Sequence, residues 1–500
     1  MLFTLFKSKP ISFISLICAG TLTLSSCAKI QKNTVVPLSP GDHALVQQNL
    51  ANGIIPNPND VKNGTVPPAT DPCTVFKQKI PADWIQDTLE VPENPAQPNG
   101  IKIHVFYYGK IKPNTTPVVF FNGGPGSDSH GSFKSFQNKQ YMLDPNQDVS
   151  MIYIDQRGNG CSDPYPQMKD NRIAEPAILE RLANYGSTGI VSDAELIRQK
   201  LIGKQPWIAF GQSYGAYVVH RYAAIAPTSL KSGFAHANTI TNEGYDRIKN
   251  RLLSQARVMD IYLKQYPDDQ VALETLRNEL APTKCYKDAT TNAKYCGFEI
   301  IQSLADNFLG FNDQWPQIHA WINIMIQNGL ANNDGIQLYL KTFVFAPINS
   351  TNSKRWSGTV IGWVDRNIVP EDNFYCQKIR TDILKENNID LSKVLINECM
   401  YNLQVPNPKA TDSSLSVQGL TQDILSLNSF VSAMTTNSTL QFFWYSGEKD
   451  PYVPVENFKD ELAAVKNLPN VHYTDFSGTG HDGFYSEPKV WQDLIKEIKR

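Results

Sequence analysis

The stretch that most constrains this chain is "PWIAFGQSYGAYVVHRYAAIAP", residues 206–227. Trp207 to Phe210 is an apolar run that reads as a buried strand. Gly211-Gln212-Ser213-Tyr214-Gly215 then makes a tight turn, and a helical pattern continues until Pro227 stops it. Strand, G-x-S-x-G and helix in this order force the serine into a strained backbone conformation. Glycines two positions either side remove the Cβ atoms that would clash. The serine hydroxyl is thereby raised above a sheet edge, with a helix N-terminus behind it whose dipole favours developing negative charge. The reading is a nucleophile at Ser213.

The sequence before this stretch supplies a sheet to hold it. "WIQDTLEVP" and "GIKIHVFYYGKI" alternate apolar and polar residues, as half-buried antiparallel strands do. Val118-Val119-Phe120-Phe121 and Met151 to Ile154 are wholly apolar, as expected of central parallel strands. The first ends in Asn122-Gly123-Gly124-Pro125-Gly126. Acyl transfer needs backbone N–H groups aimed at the oxygen that becomes negative. Tyr214, after the nucleophile, would give one, and Gly124 the other, since Pro125 has no N–H. The second leads into Asp155-Gln156-Arg157-Gly158, where Asp155 and Arg157 read as loop braces. "SDAELIRQKL" is expected as a helix capped by Ser192 with Glu195 as its capping-box partner.

Strand and helix stop alternating after "SGFAHAN". Residues 241–430 carry amphipathic helical patterns, among them "YDRIKNRLLSQARVMDIYLKQY", "FEIIQSLADNFL" and "QIHAWINIMIQ". They read as a helical cap inserted over the carboxyl ends of the strands. The sheet resumes at 431–500: Leu440 to Tyr445 leads to a loop with Asp450, and "VHYTDFSG" leads through Gly478-Thr479-Gly480 to His481. The chain order is then Ser, Asp, His, with acid and base at the ends of the last two strands. His481 would take the serine proton and Asp450 would fix its tautomer. Glu448 is the rival acid two positions earlier. His104, in a strand, and His220, on the elbow helix, read as structural; His130, near the glycine-rich loop, could line the site. The fold class expected is α/β: a mostly parallel sheet flanked by helices over 73–240 and 431–500, with the large cap between.

The first 26 residues form a targeting segment: Lys7 and Lys9, then the apolar run Ile11 to Leu24, too short to span a membrane comfortably. Leu24-Ser25-Ser26-Cys27 resembles a bacterial lipobox, which implies lipidation of Cys27; the plainer alternative is an ordinary secretory signal cut nearby. Ala28 at the next position favours an outer-membrane over an inner-membrane anchor. Residues 27–72, rich in proline and asparagine, would be a tether. Export turns the remaining six cysteines, Cys73, Cys161, Cys285, Cys296, Cys376 and Cys399, into disulfide candidates. Short-loop closure favours Cys285–Cys296 and Cys376–Cys399, which leaves Cys73–Cys161. No CxxC or HExxH occurs, so no metal is expected, and a formal charge of −2 without basic stretches gives no footing for nucleic acid.

The motifs "NGGPG", "DQRGNGCS", "GQSYGAY", "GEKD" and "GTGHDG" together resemble the prolyl-iminopeptidase-like branch of the α/β-hydrolase superfamily, which also contains secreted tripeptidyl aminopeptidases. The resemblance covers about 74–240 and 430–500. It implies an α/β-hydrolase fold and a cofactor-free serine exopeptidase that releases residues from the N-termini of short peptides. Its nucleophile, acid and base fall on Ser213, Asp450 and His481. Two departures stand out. Asn122 replaces the family's usual histidine, and the cap has no Trp-x-x-Trp-Glu element to anchor the substrate amine. Glu243 is the nearest substitute, although a glutamate solvated at a helix start is the simpler reading. An esterase or thioesterase would use the same triad. A binding protein on this scaffold would typically have lost the serine or the histidine.

Overall fold

Each wholly apolar run becomes a strand buried on both faces, and the alternating runs become the edge of the same sheet. The computed structural model describes residues 72–137, 149–166, 180–238, 240, 245–280, 284–287, 294–297, 299–345, 381–389, 425–481 and 483–500. Strands β1 (Ile85–Pro92), β2 (Lys102–Gly109), β3 (Val118–Phe121), β4 (Met151–Ile154), β5 (Trp207–Gln212) and β6 (Leu230–His236) precede two small hairpins. These are β7 (Cys285–Lys287) with β8 (Lys294–Cys296), and β9 (Ile326–Gln327) with β10 (Leu330–Ala331). Then come β11 (Gln441–Gly447) and β12 (Val471–Phe476). Eight strands form the main sheet in the order β1-β2-β4-β3-β5-β6-β11-β12. The pairs β1·β2 and β2·β4 are antiparallel. From β4 to β12 every pair is parallel. All carboxyl ends of the parallel set therefore point the same way, and their loops meet at one edge.

Helices cover both faces. Short α1 (Pro72–Lys77) and α2 (His130–Gln137) lie on one, where Phe76 and Phe133 pack with Phe120, Phe210 and Trp491. On the other are α3 (Ser187–Ile202) and α4 (Tyr214–Ile225), with Ile190, Ile197, Val218 and Tyr222 against Val119, Ala209 and Trp207. The insertion follows with α5 (Tyr245–Gln265), α6 (Asp268–Glu279), α7 (Glu299–Phe308), α8 (Trp315–Met325) and α9 (Asn333–Tyr339). It buries a core of its own, Tyr262, Leu276, Ile301, Leu304, Trp315, Ile322 and Tyr339 among others. The main domain ends with α10 (Leu427–Thr436), α11 (Lys459–Val465) and α12 (Pro488–Lys499). Among the described residues no helix is long and apolar enough to cross a membrane.

One expectation is corrected. Helix α3 starts at Ser187, five positions before Ser192, and its N-cap is Gly186 without a side-chain cap. Ser192 and Glu195 are therefore inside the helix, not at its start. Glu195 has better partners there: it pairs with Arg198 at 2.8 Å and accepts from Ser229 Oγ at 2.9 Å and from the Tyr222 hydroxyl. Gly189, which looks like a breaker, is demanded by packing. A Cβ there would sit 2.1 Å from the Asn184 carbonyl oxygen and 2.7 Å from Arg157 Nη1.

Disulfides join Cys73 to Cys161, tying α1 to the loop after β4, and Cys285 to Cys296, a directly opposed pair in the β7·β8 hairpin. Cys376 and Cys399 lie outside the described residues, as do the leader, Cys27 and the tether up to residue 71.

Candidate active site

Ser213 has φ 56° and ψ −123°, a conformation that ordinary side chains avoid, and stands just before the first residue of α4. The glycines explain how the turn closes. A Cβ on Gly211 would meet the Gly215 carbonyl oxygen at 2.3 Å, and one on Gly215 would meet the Phe121 carbonyl oxygen at 2.0 Å. The elbow is thus pressed directly onto the end of β3. Its backbone is pinned by Ser213 N–H to the His236 carbonyl at 2.9 Å, at the end of β6.

The glycine-rich loop after β3 lies over the serine. A Cβ on Gly123 would come 3.2 Å from Ser213 Cβ and 3.8 Å from its Oγ, so any side chain there would crowd the hydroxyl. Gly124 has φ 117°, open to glycine alone, and a Cβ on it would be 2.8 Å from the Gly126 nitrogen. Sequence reasoning singled out Gly124; the structure adds Gly123 as the glycine that faces the serine. Tyr214, the other oxyanion candidate, is the first residue of α4, directly after Ser213. Asn122 fits the loop: its Oδ1 accepts from Ser132 Oγ at 2.8 Å, and its amide donates to the Asp128 carbonyl.

At the ends of β11 and β12, Asp450 and His481 meet. His481 Nδ1 is 2.7 Å from Asp450 Oδ2. Asp450 is fully buried, and its Oδ1 accepts the N–H groups of Tyr452 at 2.8 Å and Val453 at 2.9 Å. Burial alone would raise its pKa; the charge and hydrogen bond of His481 and the two backbone donors outweigh that and hold the carboxyl below its ordinary value. The elbow reaches the same loop: Gln212, next to Ser213, donates Nε2 to the His481 carbonyl at 2.6 Å. Glu448 does not share this geometry. It is exposed, accepting from Gly478 N–H and Ser477 Oγ at 3.0 Å, and these bonds lower its pKa.

The other histidines separate from the site. His104 pairs with Asp163 at 3.0 Å beside β2. His220 is buried against Phe430, Phe442 and Trp444, and burial pushes it down to about 3. His236 is likewise lowered to about 3, by burial first and then by the charge of nearby His481, so it stays neutral. His130 gives Nε2 to buried Asp155 at 2.8 Å and stacks on Phe76. Asp155 also accepts from Ser129 and from Cys161 N–H, so it braces the loop. Arg157 does the same through a buried bidentate pair with Asp193, at 2.6 and 2.8 Å, and through the Glu93 carbonyl. Losing either partner would strand a buried charge at a cost of ~3–5 kcal/mol.

Among the described residues one group, His130, Asp155 and Cys161, has the spacing to hold a metal ion. Cys161 is already bonded to Cys73 and Asp155 to its four donors, so the group is poorly suited to one. Glu243 lies outside the described residues. Sequence reasoning missed Tyr452, whose ring stands edge-on to His481 with centroids 5.1 Å apart, and the insertion residues Gly310 and Asn312 that contact the His481 loop.

Comparison with known proteins identifies the family of the fold. The sequence profile of a family described as "alpha/beta hydrolase fold" matches residues 116–488. The chain is similar to the proline iminopeptidase of Aeromonas sobria, 26% identical over 168 residues, covering 33% of this chain and 38% of that protein. It is also similar to the proline iminopeptidase of Neisseria gonorrhoeae, 31% identical over 132 residues, covering 26% and 35%. The match thus spans little more than a third of either relative's length. Among solved structures, an acetylester hydrolase from Corynebacterium glutamicum superposes with a TM-score of 0.41 at 14% identity, over 83% of this chain and 96% of that one.

Proposed function

We propose, from the premise that the chain belongs to the alpha/beta hydrolase family, that it is a serine hydrolase acting as an exported aminopeptidase, of the proline-iminopeptidase or tripeptidyl-aminopeptidase type. The observation that carries the chemistry is the buried Asp450–His481 pair, tied at 2.7 Å, and hydrogen-bonded through Gln212 to the strained elbow that carries Ser213. Peptide rather than ester as substrate is supported by the "NGGPG" and "DQRG" loops and by the similarity to proline iminopeptidases.

The mechanism assigns one task to each group. His481 Nδ1–H donates to Asp450, which leaves Nε2 free to accept the Ser213 proton as Oγ attacks the scissile carbonyl carbon. The carbonyl π-pair moves onto oxygen, where the N–H groups of Tyr214 and Gly124 would receive it. As the tetrahedral centre collapses, the C–N bond breaks and His481 returns its proton to the leaving amine. Water then repeats the sequence on the acyl-enzyme and frees Ser213. Every proton is carried by His481, so no cofactor is required.

Specificity for a free α-amine is the testable part of this reading. A carboxylate of the cap facing the substrate ammonium would be stranded by an N-acetyl group. Removing the partner of a buried charge costs ~3–5 kcal/mol, or more than about a hundredfold in kcat/KM. Unblocked peptide substrates should beat their acetylated twins by that factor, and Glu243→Gln should shrink the ratio while sparing simple ester hydrolysis. Equal rates on blocked and free peptides would reject the exopeptidase. Fast acyl-ester turnover without peptide cleavage would establish the carboxylic ester or thioester hydrolase instead.

Anchoring at the cell envelope, with the outer membrane as the destination, is a separate proposal supported by the leader and by Leu24-Ser25-Ser26-Cys27. Several acyl chains at Cys27, each methylene contributing ~0.8 kcal/mol, would hold the domain at the surface. Cys27→Ala should abolish incorporation of labelled fatty acid and either block processing or release the protein from membranes. A mature N-terminus that is unmodified, or downstream of Cys27, would refute this.

A further inference from the structure

Between α7 and α8 the insertion crosses the carboxyl edge of the sheet as Leu309-Gly310-Phe311-Asn312, and this crossing touches the His481 and Asp450 loops together. The Gly310 carbonyl accepts the His481 backbone N–H at 2.7 Å. Gly310 N–H donates to the Tyr452 hydroxyl at 3.2 Å, and that hydroxyl donates to the Ala305 carbonyl at 3.1 Å. Asn312 Nδ2 donates to the Gly478 carbonyl, three residues before His481, at 2.8 Å. The fit leaves no slack. A Cβ on Gly310 would lie 1.9 Å from Tyr452 Cε2, and one on Gly480 would lie 2.4 Å from the Gly310 oxygen. The imidazole has the Tyr452 ring 5.1 Å away on one centroid and the Phe311 ring 6.1 Å away on another, both nearly perpendicular to it.

Helix α5 grips the acid loop in the same manner. Ser254 Oγ donates to the Asp450 carbonyl at 2.9 Å, and Arg257 Nη2 donates to the Glu448 carbonyl at 3.0 Å. The base loop is therefore held from two sides: its carbonyl by Gln212 of the elbow, its N–H by the insertion.

We infer that Gly310, Asn312 and Tyr452 are positioning residues for His481, so that the insertion sets the rate of the chemical step besides covering the substrate. The inference rests on the reading of His481 as general base. A displacement of about 1 Å in such a group costs on the order of 10²-fold in rate, and the insertion is packed closely enough to prevent one.

The test uses the full chain with Gly310→Ala, Asn312→Ala and Tyr452→Phe, and Ser213→Ala as reference. Measured are kcat and KM on the best chromogenic substrate, the rate of phosphonate labelling at Ser213, and the melting temperature. Gly310→Ala should lower kcat by ~10²-fold and slow labelling in parallel, with KM nearly unchanged. Asn312→Ala, which removes one hydrogen bond, should lower both rates about 2- to 10-fold, and Tyr452→Phe, which removes the two made by the hydroxyl, should lower them at least as much. Should Gly310→Ala not fold, the two milder variants decide alone. A raised KM at unchanged kcat and labelling rate would overturn the inference, because the insertion would then act on substrate only. Unchanged rates throughout would overturn it as well, while leaving the triad standing. Turnover persisting in Ser213→Ala would instead overturn the catalytic assignment, and the positioning role with it.

Discussion

Ser213→Ala should lower turnover by ~10⁴-fold or more while the protein folds and melts as before. Loss of one member of a nucleophile–base–acid unit has this scale because the remaining members cannot form the covalent intermediate. The elbow itself should survive, since the bonds that hold it are made by backbone. Ser213 N–H donates to the His236 carbonyl at 2.9 Å, and the Ser213 carbonyl accepts from Ala216 and Tyr217 at 3.0 and 3.2 Å. Alanine carries the same Cβ as serine, so the strain at φ 56° is neither added to nor relieved. The contrast is Gly215→Ala, where a Cβ 2.0 Å from the Phe121 carbonyl oxygen would push the elbow off β3. A serine-directed phosphonate should label the wild type at Ser213 and leave the alanine variant unlabelled. Undiminished hydrolysis by the variant would end the serine-hydrolase proposal.

What could be read from sequence was whatever the chain signals locally. Trp207 to Phe210 is apolar without alternation, and it is a fully buried central strand. The glycines at 211 and 215 mark a backbone crossing that the structure shows from both sides. The alternating stretches became β1 and β2 in the expected antiparallel pairing. Errors arose where a tertiary partner overrode a local rule. Ser192 and Glu195 have the spacing of a capping box, yet α3 already runs from Ser187 and Glu195 is taken up by Arg198, Ser229 and Tyr222. The crossing at Gly310 gave no local sign at all. Its partners, Tyr452 and His481, lie well over a hundred residues further on, and nothing in Leu-Gly-Phe-Asn distinguishes it from an ordinary helix end. Sequence preferred Asp450 to Glu448, two positions earlier on the same loop, and the fold buries the first carboxylate and exposes the second.

Asp450→Asn should lower kcat by about 10⁴-fold with little change in KM, through the tautomer of His481 alone. Asparagine has the same shape, and its Oδ1 can still accept from Tyr452 and Val453 at 2.8 and 2.9 Å, so the loop has every reason to keep its course. What changes is the atom facing His481 Nδ1 across 2.7 Å. A carboxylate oxygen accepts a proton there; an amide nitrogen donates one. The imidazole must then accept at Nδ1 and carry its hydrogen on Nε2, where it cannot take the Ser213 proton. Stability should respond to pH in a defined sense. The Asp450 pKa is lower in the folded protein than its ordinary 3.8, so its ionisation stabilises the fold fully above that value, and the contribution is lost as pH falls through the folded pKa. The wild type should therefore unfold at higher denaturant than Asp450→Asn at neutral pH, by a margin that stays level down to about pH 4 and narrows below it. Glu448→Gln is the control: its carboxylate serves Gly478 and Ser477 at the surface, and an amide oxygen can accept the same bonds. Were Glu448→Gln the variant that lost activity, and Asp450→Asn the one that kept it, the acid would have to be reassigned to the earlier position.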